Sequence, residues 1–245
     1  MRKGNPAACL LVIVLALTVP HFAQAKKTGV TESATDAIHF LPAPPNIAGP
    51  EQTPEFEHDL AIFHASKNEK GSARWDQAIH DAEDKARIEE LFLESFGLRI
   101  DRGTTPATYE LLQMVTAHMA RTINPVKNHY GRIRPFAYFR TSGETCVPHD
   151  ESWLVHNGSY PSGHASRGWG WALVLAEISP ERQGAILRRG HELGQARVVC
   201  GVHWQSDVDA ARLAAGVVVV QLHNEQQFLR LLARAKEEVR RLRRP

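Results

Sequence analysis

Residues 162–223 read SGHASRGWGWALVLAEISPERQGAILRRGHELGQARVVCGVHWQSDVDAARLAAGVVVVQLH. The pattern predicts three successive helices: one from about Ser162 to Ile178, one starting at Pro180 and running to about Cys200, and one over roughly Ser206 to His223. A fourth follows from Glu225 to about Arg243, with Phe228, Leu231, Leu232 and Ala235 at helical spacing. Trp169 and Trp171 read as core residues on the first of these. The tail of Arg240, Arg241, Arg243 and Arg244 reads as a solvated helix end, favourable at the negative end of the helix dipole.

Upstream, Thr104 or Thr105 caps a helix that has Pro106 in its first turn, with Leu111, Leu112, Val115 and Met119 on its buried side. Trp75, Ile79 and Ala82 fall at i, i+4 and i+7, one helical face. Ile88, Leu91, Phe92 and Phe96 continue that style, and Gly97 stops it. Residues 136–160 are expected to be an irregular loop. There is no convincing alternation of apolar and polar residues, no hairpin signal and no internal repeat. The expectation is therefore an all-α protein with one helical-bundle domain over residues 55–245.

The amino terminus reads as an address. Arg2 and Lys3 precede a 13-residue apolar run, Ala7 to Val19. Pro20 breaks it, and Ala23-Gln24-Ala25 offers a small-x-small cleavage site. Thirteen residues are too few for a bilayer core, which needs roughly 20. Residues 1–25 are thus expected to be a cleaved signal peptide, and Cys9 lies too early in the run for lipidation. Residues 26–54 hold five prolines, between Pro42 and Pro54, and are expected to form an extended arm. No later segment has 18 uninterrupted apolar residues, so no membrane contact is expected after cleavage. Periplasmic or secreted localisation follows.

The 245 residues are 43% hydrophobic and 23% charged, which suits one sizeable domain and excludes a disordered tail. The net charge of +2 comes wholly from Arg2 and Lys3, so the mature chain is balanced, and nucleic acid is not an expected partner. Two cysteines remain after export, Cys146 and Cys200. In an oxidising compartment they are expected to form a disulfide, two buried thiols being the alternative.

Three segments concentrate residues suited to phosphate chemistry. They are Lys127-Asn-His-Tyr-Gly-Arg-Ile-Arg134-Pro135, Tyr160-Pro-Ser-Gly-His164, and Arg197-Val-Val-Cys-Gly-Val-His203-Trp-Gln-Ser-Asp207. Lys127, Arg134 and Arg197 supply cations, and planar guanidinium forks hold non-bridging oxygens two at a time. Ser162 and Gly163 open a helix, where free N–H groups and the dipole make an anion site. His203 and Asp207 stand at i, i+4, so the carboxylate can fix one ring nitrogen and leave the other to attack. His164 is then placed to protonate a departing alkoxide. His129, His149 and His156 lie near these motifs without a spacing that assigns them a role.

Lys127-x6-Arg134-Pro135, Pro161-Ser162-Gly163-His164 and Arg197-x5-His203-x3-Asp207 resemble the three-part signature of the phosphatidic acid phosphatase type 2 superfamily, which includes vanadium haloperoxidases. The chain resembles most the class A bacterial nonspecific acid phosphatases. Leu41-Pro-Ala-Pro-Pro45, Gly158-Ser-Tyr-Pro-Ser-Gly-His164, Arg189-Gly-His-Glu-Leu-Gly194 and Cys200-Gly-Val-His-Trp-Gln-Ser-Asp207 carry that resemblance, which spans about Phe40 to Glu237. It implies a phosphohistidine on His203, oriented by Asp207, with His164 as proton donor and later as base. Lys127, Arg134, Ser162, Gly163 and Arg197 would bind the phosphoryl oxygens. It also implies small phosphate esters as substrates, no metal or other cofactor, and a homo-oligomer. Two positions depart from the family pattern: Ala196 where Ser is usual, and Ala165 where Thr is frequent. Vanadate-dependent halide oxidation, nucleotide diphosphohydrolysis and phosphate binding without turnover are the alternative readings of the same constellation.

Overall fold

The computed structural model describes residues 1, 39–45, 53–82 and 88–244. The signal-peptide reading and most of the arm lie outside them. Among the described residues there is no strand, and the fold is all-α. No described helix is long and apolar enough to cross a membrane.

The helices that matter are α1 (Pro54–Ser66), α2 (Ala73–Ala82), α3 (Ile88–Leu91), α4 (Leu93–Phe96), α5 (Pro106–Tyr130), α6 (Pro135–Tyr138), α7 (Glu151–Leu154), α8 (Gly163–Ile178), α9 (Gln183–Val199), α10 (Gln205–Leu222) and α11 (Gln226–Leu242). Helix α8 is the hub, packed against α9, α10 and α5, while α11 lies along α5. Its sequence is apolar nearly all round, which marks an element enclosed by others. The main core joins Leu111, Leu112, Val115 and Met119 of α5 to Trp171, Ala172, Val174 and Leu175 of α8, and to Phe228, Leu231, Leu232 and Ala235 of α11. Trp171 is a core residue, its Nε1–H donating to Leu112 O and Thr116 Oγ1, and Trp169 packs partly buried against the same core.

Several expectations change in detail. Ile79 is 37% exposed; the buried positions of α2 are Ala78, Asp81 and Ala82. Arg189 draws that face inward, because its two Nη groups hold the Asp81 carboxylate at 2.6 and 2.8 Å. The aromatic stretch beyond α2 is two one-turn helices, α3 and α4, ended by Gly97. Thr105 stands at the N-cap of α5, but its hydroxyl donates to Arg99 O. The cap comes instead from Glu238 of α11, whose carboxylate accepts from the N–H groups of Ala107 and Thr108 at 2.9 Å and from Thr108 Oγ1. A cap supplied from 130 residues away in sequence leaves no local signal. The segment expected to be irregular, residues 136–160, contains α7 and most of α6. Arg240, Arg241 and Arg244 are exposed, whereas Arg243 is only partly so: it donates to Phe96 O and Ser179 Oγ and lies 5.3 Å from the Phe96 ring.

His39 and Phe40 have helical backbone where an extended arm is expected, and no proline of the arm precedes Pro42 to forbid it. Beyond them Leu41 is buried among Ile123, Val126, Tyr160, Ala210 and Ala214, and Tyr160 Oη donates to Pro42 O. The start of the proline-rich stretch is thus fixed to the bundle.

Cys146 and Cys200 form a disulfide, with Cα atoms 4.9 Å apart. It ties the loop before α7 to the end of α9, just beyond Arg197. Replacing both cysteines with Ala is expected to lower stability by about 4 kcal/mol, the chain-entropy figure for a closed loop of this length. Urea unfolding of the two proteins measures it. Two free thiols in the denatured, unreduced wild type would remove the basis of the expectation.

Candidate active site

The sequence places the chemistry at three helix ends, and the fold brings those ends together. Helix α5 delivers Lys127 in its last turn and stops at Gly131, which adopts φ +52°, a left-handed turn that glycine takes without cost. Beyond that turn Arg132 reaches Asp59 and Asp207, while Arg134 reaches the Leu154 and Val202 carbonyls and His203. Helix α8 starts at Gly163 with Ser162 as its cap. Ser162 Oγ accepts from Ala165 N, and Ser162 N–H donates to Asp207 O at 3.0 Å. Helix α9 brings Arg197 in its last turn, and α10 brings Asp207 in its first.

Lys127, Arg134, Gly163, His164, Arg197 and His203 border one cavity of about 460 Å³. Ser162 and Asp207 stand behind its wall. All eight residues named from the sequence are thus gathered in one place, six on the wall and two supporting it.

Arg134 and Lys127 are held by backbone carbonyls. Arg134 Nε donates to Leu154 O and Asn157 O, both at 3.0 Å; its Nη1 donates to Val202 O at 2.9 Å and to His203 Nε2 at 3.0 Å. Lys127 Nζ donates to Gly158 O at 2.5 Å. A Cβ at position 158 would meet Lys127 O at 2.6 Å, so only glycine permits this approach. Lys127, Arg134 and Arg197 are buried around an opening where Asp150 is the one acid among the described lining residues. Burial, then the repulsion of Arg134 and Arg197, pushes the Lys127 ammonium down to about 7, with Asp207 acting in the opposite sense. Arg134 is lowered too, mainly by burial and then by Arg197, but a guanidinium stays charged at any working pH.

The histidine pair has a defined polarity. A guanidinium only donates, so His203 Nε2 is the acceptor from Arg134 and Nδ1 carries the proton. That proton faces Asp207 Oδ2 at 3.2 Å. Burial first, then Arg134, Lys127 and Arg197, holds His203 well below the usual imidazole range. The ring is therefore neutral, with its lone pair at Nε2.

Behind the histidine lies a network that sequence reasoning left without roles. Asp207 Oδ1 accepts from Arg132 Nη1 at 2.6 Å, and Oδ2 accepts from Ser159 Oγ and from Trp204 N at 2.9 Å. Arg132 Nη2 donates to Asp59 Oδ2 at 2.9 Å, and Asp59 also accepts from the N–H and hydroxyl of Ser206. Trp204 packs under the Arg132 guanidinium at 5.6 Å. A faint signal existed for Asp59. It falls between Phe56 and Phe63 on the buried stripe of α1, where an acid is costly unless paired. Arg132 and Ser159 were in the quoted motifs but offered nothing to separate them from their neighbours. His129, His149 and His156 are exposed and do not border the cavity.

Ala196 packs with Ala78 and Val199, and Ala165 with Val198, Val208 and Ala211. Both departures from the family pattern thus sit on apolar helix contacts.

Comparison with known proteins agrees with this geometry. The PAP2 superfamily profile matches residues 107–230, which hold all three motifs. A non-specific acid phosphatase of Providencia stuartii is 41% identical over 211 residues, 85% of this chain and 83% of that protein. One from Salmonella typhimurium is 38% identical over 94% of this chain and 91% of its own length. An acid phosphatase of Zymomonas mobilis is 34% identical over 85% of this chain and 77% of its own. With the signature residues drawn to one cavity and similarity running almost end to end, the chain belongs to the PAP2 superfamily and, within it, to the bacterial non-specific acid phosphatases.

Proposed function

We propose that this acid phosphatase hydrolyses small phosphate monoesters through a phosphohistidine on His203, without a metal ion in the catalytic step, and that it works after export. The observation that carries the mechanism is the polarity of His203: Nδ1–H toward Asp207 and an unprotonated Nε2 on the cavity wall. Export rests on the reading of residues 1–25.

The phosphoryl group enters among Lys127, Arg134, Arg197 and the first amides of α8. Ser162 accepts from Ala165 N as the cap of α8 and so sets the direction of the helix's first amides, which meet the phosphoryl oxygens. Arg134 Nη1 shifts from Nε2 to a phosphoryl oxygen, which releases the lone pair. Nε2 attacks phosphorus, the P–O ester bond breaks, and His164 gives its proton to the leaving oxygen. Asp207 supports the positive charge that the ring acquires. Neutral His164 then takes a proton from water, the hydroxide attacks phosphorus, and the P–N bond breaks with its electron pair returning to Nε2. Three fixed cations offset charge on the transferring group, the work a divalent ion does elsewhere.

This arrangement fixes the sign of the pH dependence. His203 is neutral until pH falls well below 6.5, so the acid limb lies low. Lys127 in the free enzyme loses its proton as pH rises through about 7, so kcat/KM is expected to decline above that point. A bound phosphate dianion stabilises the ammonium, so the alkaline limb of kcat is expected at higher pH than that of kcat/KM. Hydrolysis of an aryl phosphate from pH 4 to 9, with and without EDTA, tests this. The expected result is a bell with its maximum below pH 7, indifferent to EDTA and inhibited by phosphate and vanadate. Activity that vanishes with EDTA and returns with a divalent metal would overturn the mechanism.

A further inference from the structure

Burial divides the catalytic cavity into a floor and a rim. Arg134, Arg197 and His203 are at most 3% exposed, whereas Trp153, which borders the same cavity, is 59% exposed. A phosphoryl group needs only the floor, and about 460 Å³ is in the range that encloses a small organic molecule. Facing inward with Trp153 are Met119 and Ile123 of α5, and Asn124 lies at the exposed edge.

An indole left this open normally costs apolar hydration unless something covers it. The turn of helix that carries it, α7, is held firmly on both sides. The Glu151 carboxylate at the start of α7 accepts from Gly143 N at 2.7 Å and Thr145 Oγ1 at 2.6 Å. Leu154, the next residue after Trp153, is buried beside the disulfide, and its carbonyl accepts from Arg134 Nε. The backbone that carries Trp153 is therefore fixed to the same arginine that borders the phosphate floor.

We infer that Trp153 is a leaving-group subsite that takes the flat ring of an aromatic ester, such as an aryl phosphate or a nucleoside monophosphate, while the phosphoryl group occupies the floor. This rests on the phosphatase reading above and names its favoured substrate class. Stacking on one aromatic face tolerates many rings and rejects aliphatic alcohols only by lack of contact, so the effect is a preference.

The test compares kcat/KM for phenyl phosphate, a nucleoside 5′-monophosphate and glycerol phosphate in wild type, Trp153→Ala and Trp153→Phe. In Trp153→Ala the ratio of either aromatic ester to glycerol phosphate is expected to fall about tenfold, and Trp153→Phe is expected to restore most of it. A ratio within twofold of wild type, whether all three esters slow together or none does, overturns the inference. Glycerol phosphate hydrolysis by wild type reports separately on the phosphatase reading. Calorimetric binding of the nucleoside monophosphate against inorganic phosphate reads the subsite without turnover. A ratio of affinities unchanged by Trp153→Ala overturns the inference there too.

Discussion

Replacing His203 with Ala is expected to abolish turnover, by a factor on the order of 10⁴ or more, and to abolish acid-labile labelling by a radioactive phosphate ester. The cations of the floor remain in this variant, so phosphate still binds, but no nitrogen stands where Nε2 stood. His164→Ala is expected to behave differently. It keeps the nucleophile and loses the proton donor, so turnover falls by roughly 10²–10³ with an alkyl ester. A substrate whose leaving group needs no proton still labels His203, and the label persists because the base that activates water is also gone. Rapid-quench labelling of both variants separates the two roles. Persistent labelling of His203→Ala would show that another residue carries the phosphoryl group.

The helices from Ser162 onward were legible because their signals are local: apolar spacing, a serine cap, and Pro180 as punctuation. The site was legible because its residues lie within three short segments whose types complement a phosphate. What stayed hidden depends on contacts distant in sequence. Glu238 caps α5 across 130 residues. Asp59 reaches Arg132 and Ser206 across 73 and 147 residues. Spacing puts Ile79 on the inner face of α2, yet Arg189 and Asp81 set which face turns inward. The rim of the cavity was hidden for another reason. Trp153 sits on a single turn of helix within a stretch without periodicity, and only burial reveals that its indole is left open beside His164 and His203.

Asp207 is where the hidden network meets the legible site, and Asp207→Asn is expected to lower kcat by about 10³ or more. The substitution preserves shape but not chemistry. The carboxylate accepts from Arg132, Ser159, Trp204 and His203, whereas an amide has one accepting oxygen and an NH₂ that must face a donor. His203 then loses the partner that keeps its proton on Nδ1, and its charge in the phosphohistidine is unsupported. Arg132 keeps only Asp59 as a charged partner, so stability is expected to fall by about 3–5 kcal/mol, the usual loss when one member of a buried pair is removed. A merely structural role for Asp207 would lower activity only in proportion to unfolding. Two readouts exclude that explanation. At acid pH, where Lys127 keeps its proton, phosphate inhibition is expected to be unchanged or tighter, because a negative charge near the floor has gone while Lys127, Arg134 and Arg197 remain. The alkaline limb of kcat/KM is expected to move to lower pH, because Asp207 is the carboxylate that raises the Lys127 pKa against burial and the two arginines. A folded Asp207→Asn protein with kcat within tenfold of wild type, or with its alkaline limb unmoved, would remove Asp207 from the mechanism.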